Sequence, residues 1–174
     1  MKNYKNYLFI IPILVLTLPL KRESLSGVCV RVLDGDTIIV QRGTKLEKVR
    51  LAFIDAPEIS QFSIFNKIRI GEKSKEFLEQ KILNKNVLIK LYGRGKYKRW
   101  IGEVFYKGEN INLAIVLSGN AVLYKFKKYP TNYHRVDYHS SQFLAQNKRV
   151  GIWGTYGFEN PQHYRRRGGK NVKQ

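Results

Sequence analysis

The chain has 174 residues, with 32 Lys and Arg against 13 Asp and Glu, for a formal net charge of +19. A hydrophobic fraction of 43% and an aromatic fraction of 13% supply a core for one domain and exclude intrinsic disorder. Cys29 is the only cysteine, which excludes a disulfide scaffold and any zinc site built on several thiolates. The positive charge is not confined to the ends: residues 1–26 carry a net +3 and residues 159–174 a net +4, leaving +12 to the body. Such a body attracts polyanions, whether nucleic acid, acidic lipid or cell-wall polymer.

At the N-terminus, Lys2 and Lys5 precede an apolar run from Tyr7 to Leu20 that Lys21 and Arg22 close, the pattern of a secretory signal. The run is short for a membrane span and is interrupted by Pro12 and Pro19. Residues 1–26 are therefore expected to direct export to the periplasm or the medium; the alternative is an uncleaved anchor that associates with a membrane. Ser24 and Ser26 are the nearest small residues for cleavage.

Next, Val28, Val30 and Val32 alternate with smaller or polar residues and predict a strand. Asp34-Gly35 is a hairpin signal, with Thr37 to Gln41 as the returning strand and Lys48 to Ile54 as a third. Pro57 ends it. A polar loop from Ser60 to Arg69 leads to a helix over Gly71 to Leu83. Strands follow at Val87 to Tyr92 and Trp100 to Tyr106, then a short helix from Ile111 to Ser118 stopped by Gly119. The final predicted helix runs from Asn132 to Lys148, with Tyr133, Val136, Ser140, Phe143 and Leu144 on one face. The tail over residues 159–174 is polar and basic, with an end expected to lack order. Three meander strands, a helix, two strands and further helices predict an α+β domain over residues 27–158, and five such strands are able to close as an OB-type barrel.

The body holds only eleven acidic residues, yet Asp34, Asp36, Asp55 and Glu58 fall in two turn motifs within 25 positions. As local conformation, Asp34-Gly35 is a hairpin turn and Pro57 a loop breaker. That accounts for the turns and leaves Asp36 and Glu58 unexplained. Carboxylates with a backbone carbonyl, and no His or Cys, suit a hard cation such as Ca²⁺ or Mg²⁺. His134 and His139 are five residues apart, off a shared helix face, and His163 lies in the tail. Neither a phosphate-binding Gly-Lys-Ser/Thr loop nor a nucleophile elbow is present.

Asp34-Gly35-Asp36-Thr37, then Arg50-Leu51 with Ile54-Asp55-Ala56-Pro57-Glu58, then Lys96-Tyr97-Lys98-Arg99 closely resemble the staphylococcal nuclease (thermonuclease) family in order and spacing. Gly71, Asn112, Gly119 with Ala121, and Gly151-Ile152-Trp153 extend the resemblance over Val28 to Trp153. Asn160-Pro161 and Tyr164-Arg165 resemble the tail of Gram-negative members.

The resemblance implies a five-stranded OB-fold barrel with about three helices and a Ca²⁺-dependent endonuclease acting on DNA and RNA with little sequence specificity. By position, Asp36 and Asp55 match carboxylate ligands of Ca²⁺, and Ala56 matches a ligand that binds through its backbone carbonyl. Glu58 matches the proposed general base. Arg50 and Arg99 match the arginines that grip the phosphate. Asp34 matches an outlying carboxylate, Lys96 and Tyr97 match contacts to a terminal phosphate, and Tyr124 is the best candidate for stacking a base, with Phe126 and Tyr129 nearby.

Lys98 departs from the family's usual Gly before the arginine. Tyr92-Gly93-Arg94 imitates the same motif, but only Arg99 keeps the family's spacing to Asn112 and Gly119. The alternative function is a basic OB module that binds nucleic acid without cutting it. The presence of Asp36, Asp55, Glu58, Arg50 and Arg99 together favours the enzyme, expected to work as a monomer.

Overall fold

The computed structural model describes residues 24–63, 68–124 and 135–168. Residues 1–23, and with them most of the predicted signal, lie outside the described residues, as do Phe126, Tyr129, Tyr133 and His134. Among the described residues, no helix is long and apolar enough to cross a membrane.

Five strands form the body: β1 (Ser24–Asp34), β2 (Thr37–Arg42), β3 (Lys45–Leu51), β4 (Asn86–Arg94) and β5 (Trp100–Tyr106). They pair in the order β3-β2-β1-β4-β5, all antiparallel, and a parallel pairing of β3 with β5 closes the barrel. Closure leaves no free edge between β3 and β5. Gly102 lets β5 lie close on β4: a Cβ there would lie 2.6 Å from the Ile89 side chain and 2.8 Å from the Lys90 carbonyl.

The expected α+β barrel is therefore present, but β1 does not alternate as its valines predict. Its inward residues are Leu25, Cys29 and Val32, while Val28 is exposed. Register shifts between Cys29 and Arg31 and between Val32 and Asp34 each change which residue faces the core. Ser24 and Ser26 pair with Lys90 and Leu88 at the start of β1. Alternation holds through Ile38 and Val40, Val49 and Leu51, and Val87 and Ile89, whereas β5 is buried continuously from Ile101 to Val104. Cys29 is buried, and that burial raises its thiol to about 11, despite a contact to the Arg31 carbonyl that works the other way.

Helix α1 (Ile70–Ile82) packs on the barrel through Leu78 and Ile82. Helix α2 (Ile111–Leu117) is capped by the Asn110 side chain, which accepts from the Leu113 N–H. Its buried Asn112 donates to the carbonyls of Ala52 (2.9 Å) and Gly102 (3.2 Å) and accepts from the Val104 N–H (3.0 Å), stitching β5 to the residues after β3.

Helix α3 (Arg135–Asn147) differs from its sequence pattern. Val136, Phe143 and Leu144 are exposed, and the buried residues are Tyr138 and Ala145. A polar contact decides the orientation. The Tyr138 hydroxyl donates to buried Glu103 at 2.9 Å, and Glu103 also accepts from Tyr92 (2.5 Å) and Asn110 (3.1 Å). Burial, then the neighbouring Glu103 charge, raise the Tyr138 hydroxyl far above the ordinary phenol range. Within the tail, Pro161–Arg166 forms a helix, α4, capped by the Asn160 side chain, and the end of the tail from residue 169 lies outside the described residues.

Tyr138→Phe removes one donor from a buried carboxylate while keeping the ring. The expected loss is about 1.5–3 kcal/mol in urea unfolding, with an unchanged m-value.

Candidate active site

The turn after β1 builds one wall of the site. The Asp34 carboxylate accepts the Asp36 N–H at 3.0 Å, an Asx turn that tightens the hairpin. Gly35 lets this turn press against its surroundings, because a Cβ there would meet the Ala56 and Ser74 side chains at 2.6 Å. Asp36 is thereby carried to the Ala56 segment, where its Oδ2 accepts the Ala56 N–H at 3.2 Å.

Arg50 faces Thr37 across the β2–β3 ladder. From there its guanidinium donates to Asp36 Oδ1 at 2.9 Å and to Asp55 Oδ1 at 2.7 Å. Asp55 itself is fixed by a short pairing of Ile54–Asp55 with Val122–Leu123. Both carboxylates are buried, at 3% exposure for Asp36 and 0% for Asp55. Burial pushes Asp36 up to about 7; Arg50 opposes this, and the charges of Asp34 and Asp55 add to it.

Pro57 turns the chain and Glu58 follows, half-buried on the same cleft. Its backbone is held by the start of α1: a Cβ on Gly71 would sit 1.9 Å from the Glu58 carbonyl oxygen, so any other residue would push the two apart. One residue has no assigned role in the sequence reading. Arg165, on α4, donates to Asp55 Oδ2 at 2.6 Å and to Glu58 Oε1 at 2.8 Å. Partial burial works to lower its pKa, but the hydrogen bonds to Asp55 and Glu58 outweigh that and raise it. Pro161 directly after a capping Asn was the available signal for a helix here.

The opposite resource of the cleft is the loop between β4 and β5. Arg94 stacks on the Trp100 ring at 3.8 Å and donates to the Lys98 carbonyl at 2.9 Å. Tyr97 and Lys98 both have left-handed backbone, with φ of 59° and 56°. Lys98, standing where the family usually has Gly, therefore carries a conformation that costs an L-residue about 1–2 kcal/mol. Arg99 is half-buried, with its guanidinium 5.7 Å from the centre of the exposed Tyr97 ring. Lys96 begins this turn; its side chain lies outside the described residues.

Asp34, Asp36, Arg50, Ala56, Glu58, Tyr97, Arg99 and Tyr124 all line one open cleft of about 940 Å³, together with Arg94 and Arg165. Asp55 lies buried behind this lining, ion-paired to Arg50 and Arg165. Among the described residues, no three His, Cys, Asp or Glu side chains gather closely enough to hold a metal by themselves. The Asp36 and Asp55 carboxylates that Arg50 brings together are hard oxygen donors with no thiolate or imidazole among the cleft residues, a chemistry that suits a hard divalent cation better than zinc.

The sequence model described as staphylococcal nuclease homologue matches residues 48–155. The chain is 37% identical over 146 residues to a Haemophilus influenzae protein named an uncharacterized endonuclease, covering 83% of this chain and 75% of that one. It is 31% identical over 149 residues to a micrococcal nuclease of Shigella flexneri, covering 80% of each chain. It is also 31% identical over 163 residues to the Escherichia coli protein ParB, covering 88% of this chain and 86% of that one.

Of the four cleft arginines, Arg50 and Arg99 are expected to differ in their weight for stability. Arg50→Ala strands two buried carboxylates and should cost about 3–5 kcal/mol in denaturant unfolding, measured in chelator. Arg99→Ala removes no buried partner and should stay within about 0.5 kcal/mol of the parent.

Proposed function

The chain belongs to the staphylococcal nuclease family and is a nuclease, and we propose that it hydrolyses internal phosphodiester bonds of both DNA and RNA, with little sequence preference, in a Ca²⁺-dependent reaction. The observation that carries this reading is the grip of Arg50 on Asp36 and Asp55 in a cleft that Glu58 and Arg99 also line.

In this reading, Asp36, Asp55 and the Ala56 carbonyl hold the cation. When bound, Ca²⁺ supplies positive charge to meet the charge that builds on the phosphate oxygens. Glu58 takes the proton of the attacking water, a contribution of about 10²–10⁴-fold for a placed general base. Arg99, and the guanidinium hydrogens of Arg50 not engaged with carboxylates, donate to nonbridging oxygens. Such donors are worth most where charge develops, roughly 3 kcal/mol each. Asp34 holds the turn that presents Asp36. Lys96 and Tyr97 meet a neighbouring phosphate, and Tyr124 offers a ring to a base. Contacts of this kind address phosphate, sugar and ring faces, which carry little sequence information, and this supports low specificity. One copy supplies every residue named, consistent with a monomer.

Export belongs to the same proposal. The apolar run from Tyr7 to Leu20 between basic flanks supports it. The mature N-terminus, read by mass spectrometry, separates a cleaved leader from a retained anchor.

Digestion of plasmid and RNA with Ca²⁺, Mg²⁺ or excess EGTA tests the function. Cleavage of both with Ca²⁺ and none in EGTA is expected; full activity in EGTA would overturn the cation assignment. In single-turnover cleavage, Arg99→Ala should lose about 10²–10³-fold. Arg99→Lys should recover little, because an ammonium cannot reproduce the guanidinium fork. Arg94→Ala should cost only a modest, salt-dependent share of affinity. A crippled Arg94→Ala beside an active Arg99→Ala would exchange the two roles.

A further inference from the structure

Arg165 is delivered to the cleft by a built segment. The residues from Tyr156 to Tyr164 run along residues 60–63, which follow Glu58 closely in the chain. Ser63 donates to the Tyr156 carbonyl at 2.9 Å, Gln61 donates to the Glu159 carbonyl at 2.6 Å, and the Tyr164 hydroxyl donates to the Ser60 carbonyl at 3.2 Å. Tyr164 and Pro161 are buried. Capped by Asn160, α4 then turns Arg165 onto Asp55 and Glu58 together.

The consequence for Asp55 is specific. Its Oδ1 is taken by Arg50 and its Oδ2 by Arg165, so a guanidinium occupies each oxygen of a carboxylate with no exposure to solvent. We propose that Arg165 is a built-in counter-cation that competes with the divalent cation for Asp55, lowering cation affinity while stabilising the cation-free site. The inference rests on the Ca²⁺ reading above. In the cation-free protein, Arg165 neutralises Asp55 and keeps Glu58 turned toward it. A divalent cation at Asp55 meets a fixed positive charge across the same carboxylate, and like charges so placed repel. Arg165 is thus a positioning residue, acting through Asp55 and Glu58.

Calorimetric titration of CaCl₂ into the full chain, stripped with chelator and free of nucleic acid, tests this with wild type, Arg165→Gln, Arg165→Lys and Asp55→Asn. Arg165→Gln should bind Ca²⁺ about threefold tighter or more, yet melt at lower temperature in EGTA. Those opposite signs separate competition from a structural role, which would weaken both. Arg165→Lys keeps the charge but cannot hold both carboxylates at once, so it should fall between wild type and Arg165→Gln; this ordering stands as a test even where Arg165→Gln folds poorly. Asp55→Asn should lose most of the binding. Ca²⁺ binding by wild type with equal or weaker binding in both Arg165 variants overturns the inference and leaves the Ca²⁺ reading intact. No Ca²⁺ binding by wild type or by either Arg165 variant overturns both.

Discussion

Asp36 and Asp55 can be buried side by side because Arg50 lies between them, with Arg165 on the second oxygen of Asp55. An unpaired carboxylate so deep would cost several kcal/mol or give up its ionisation. The barrel is arranged around that pairing. Register across β2 and β3 places Arg50 opposite Thr37, one residue from Asp36, and the parallel seam with β5 places it beside Ile101. Gly35 lets the first turn close on Ala56, and Gly71 lets α1 close on Glu58. Each small residue brings a second chain segment within reach of the same guanidinium or its neighbours.

The molecule combines two electrostatic scales. At long range it is a polycation of formal charge +19 that draws in polyanions and hastens their encounter. At short range its cleft concentrates Asp34, Asp36, Asp55 and Glu58. A phosphate drawn in by the first field would be repelled by the second without intervening positive charge. Arg50 and Arg165 provide it from within, paired to Asp36, Asp55 and Glu58. A hard divalent cation bound among these oxygens would add to it.

Much of this was legible in the chain. Asp34-Gly35-Asp36 and Asp55-Ala56-Pro57-Glu58 pair acidic residues with turn-forming neighbours, and turns are where local sequence constrains backbone most tightly. The loop alignment that prefers Arg99 to Arg94 rests on spacing to Asn112, whose buried amide ties β5 to the residues after β3. Other features were not legible for identifiable reasons. The bulges in β1 change its inward face without any Gly or Pro at the step. Hydrophobic spacing turned α3 the wrong way, because its inward residue is Tyr138, whose ring packs against Phe53 and whose hydroxyl reaches the buried carboxylate of Glu103, while Val136 and Phe143 stay exposed. Arg165 meets Asp55 across a separation of 110 residues, and no local pattern encodes such a contact.

The most direct measurement of whether this cleft cuts, rather than only binds, is paired cleavage and binding by Asp55→Asn with plasmid DNA and Ca²⁺, after confirming a folded melting transition. The predicted result is cleavage lost by orders of magnitude, with DNA affinity in chelator equal to or tighter than that of the parent, because one negative charge has gone. Cleavage at the parental rate by folded Asp55→Asn would contradict the account and move the chemistry away from Arg50 and its two carboxylates.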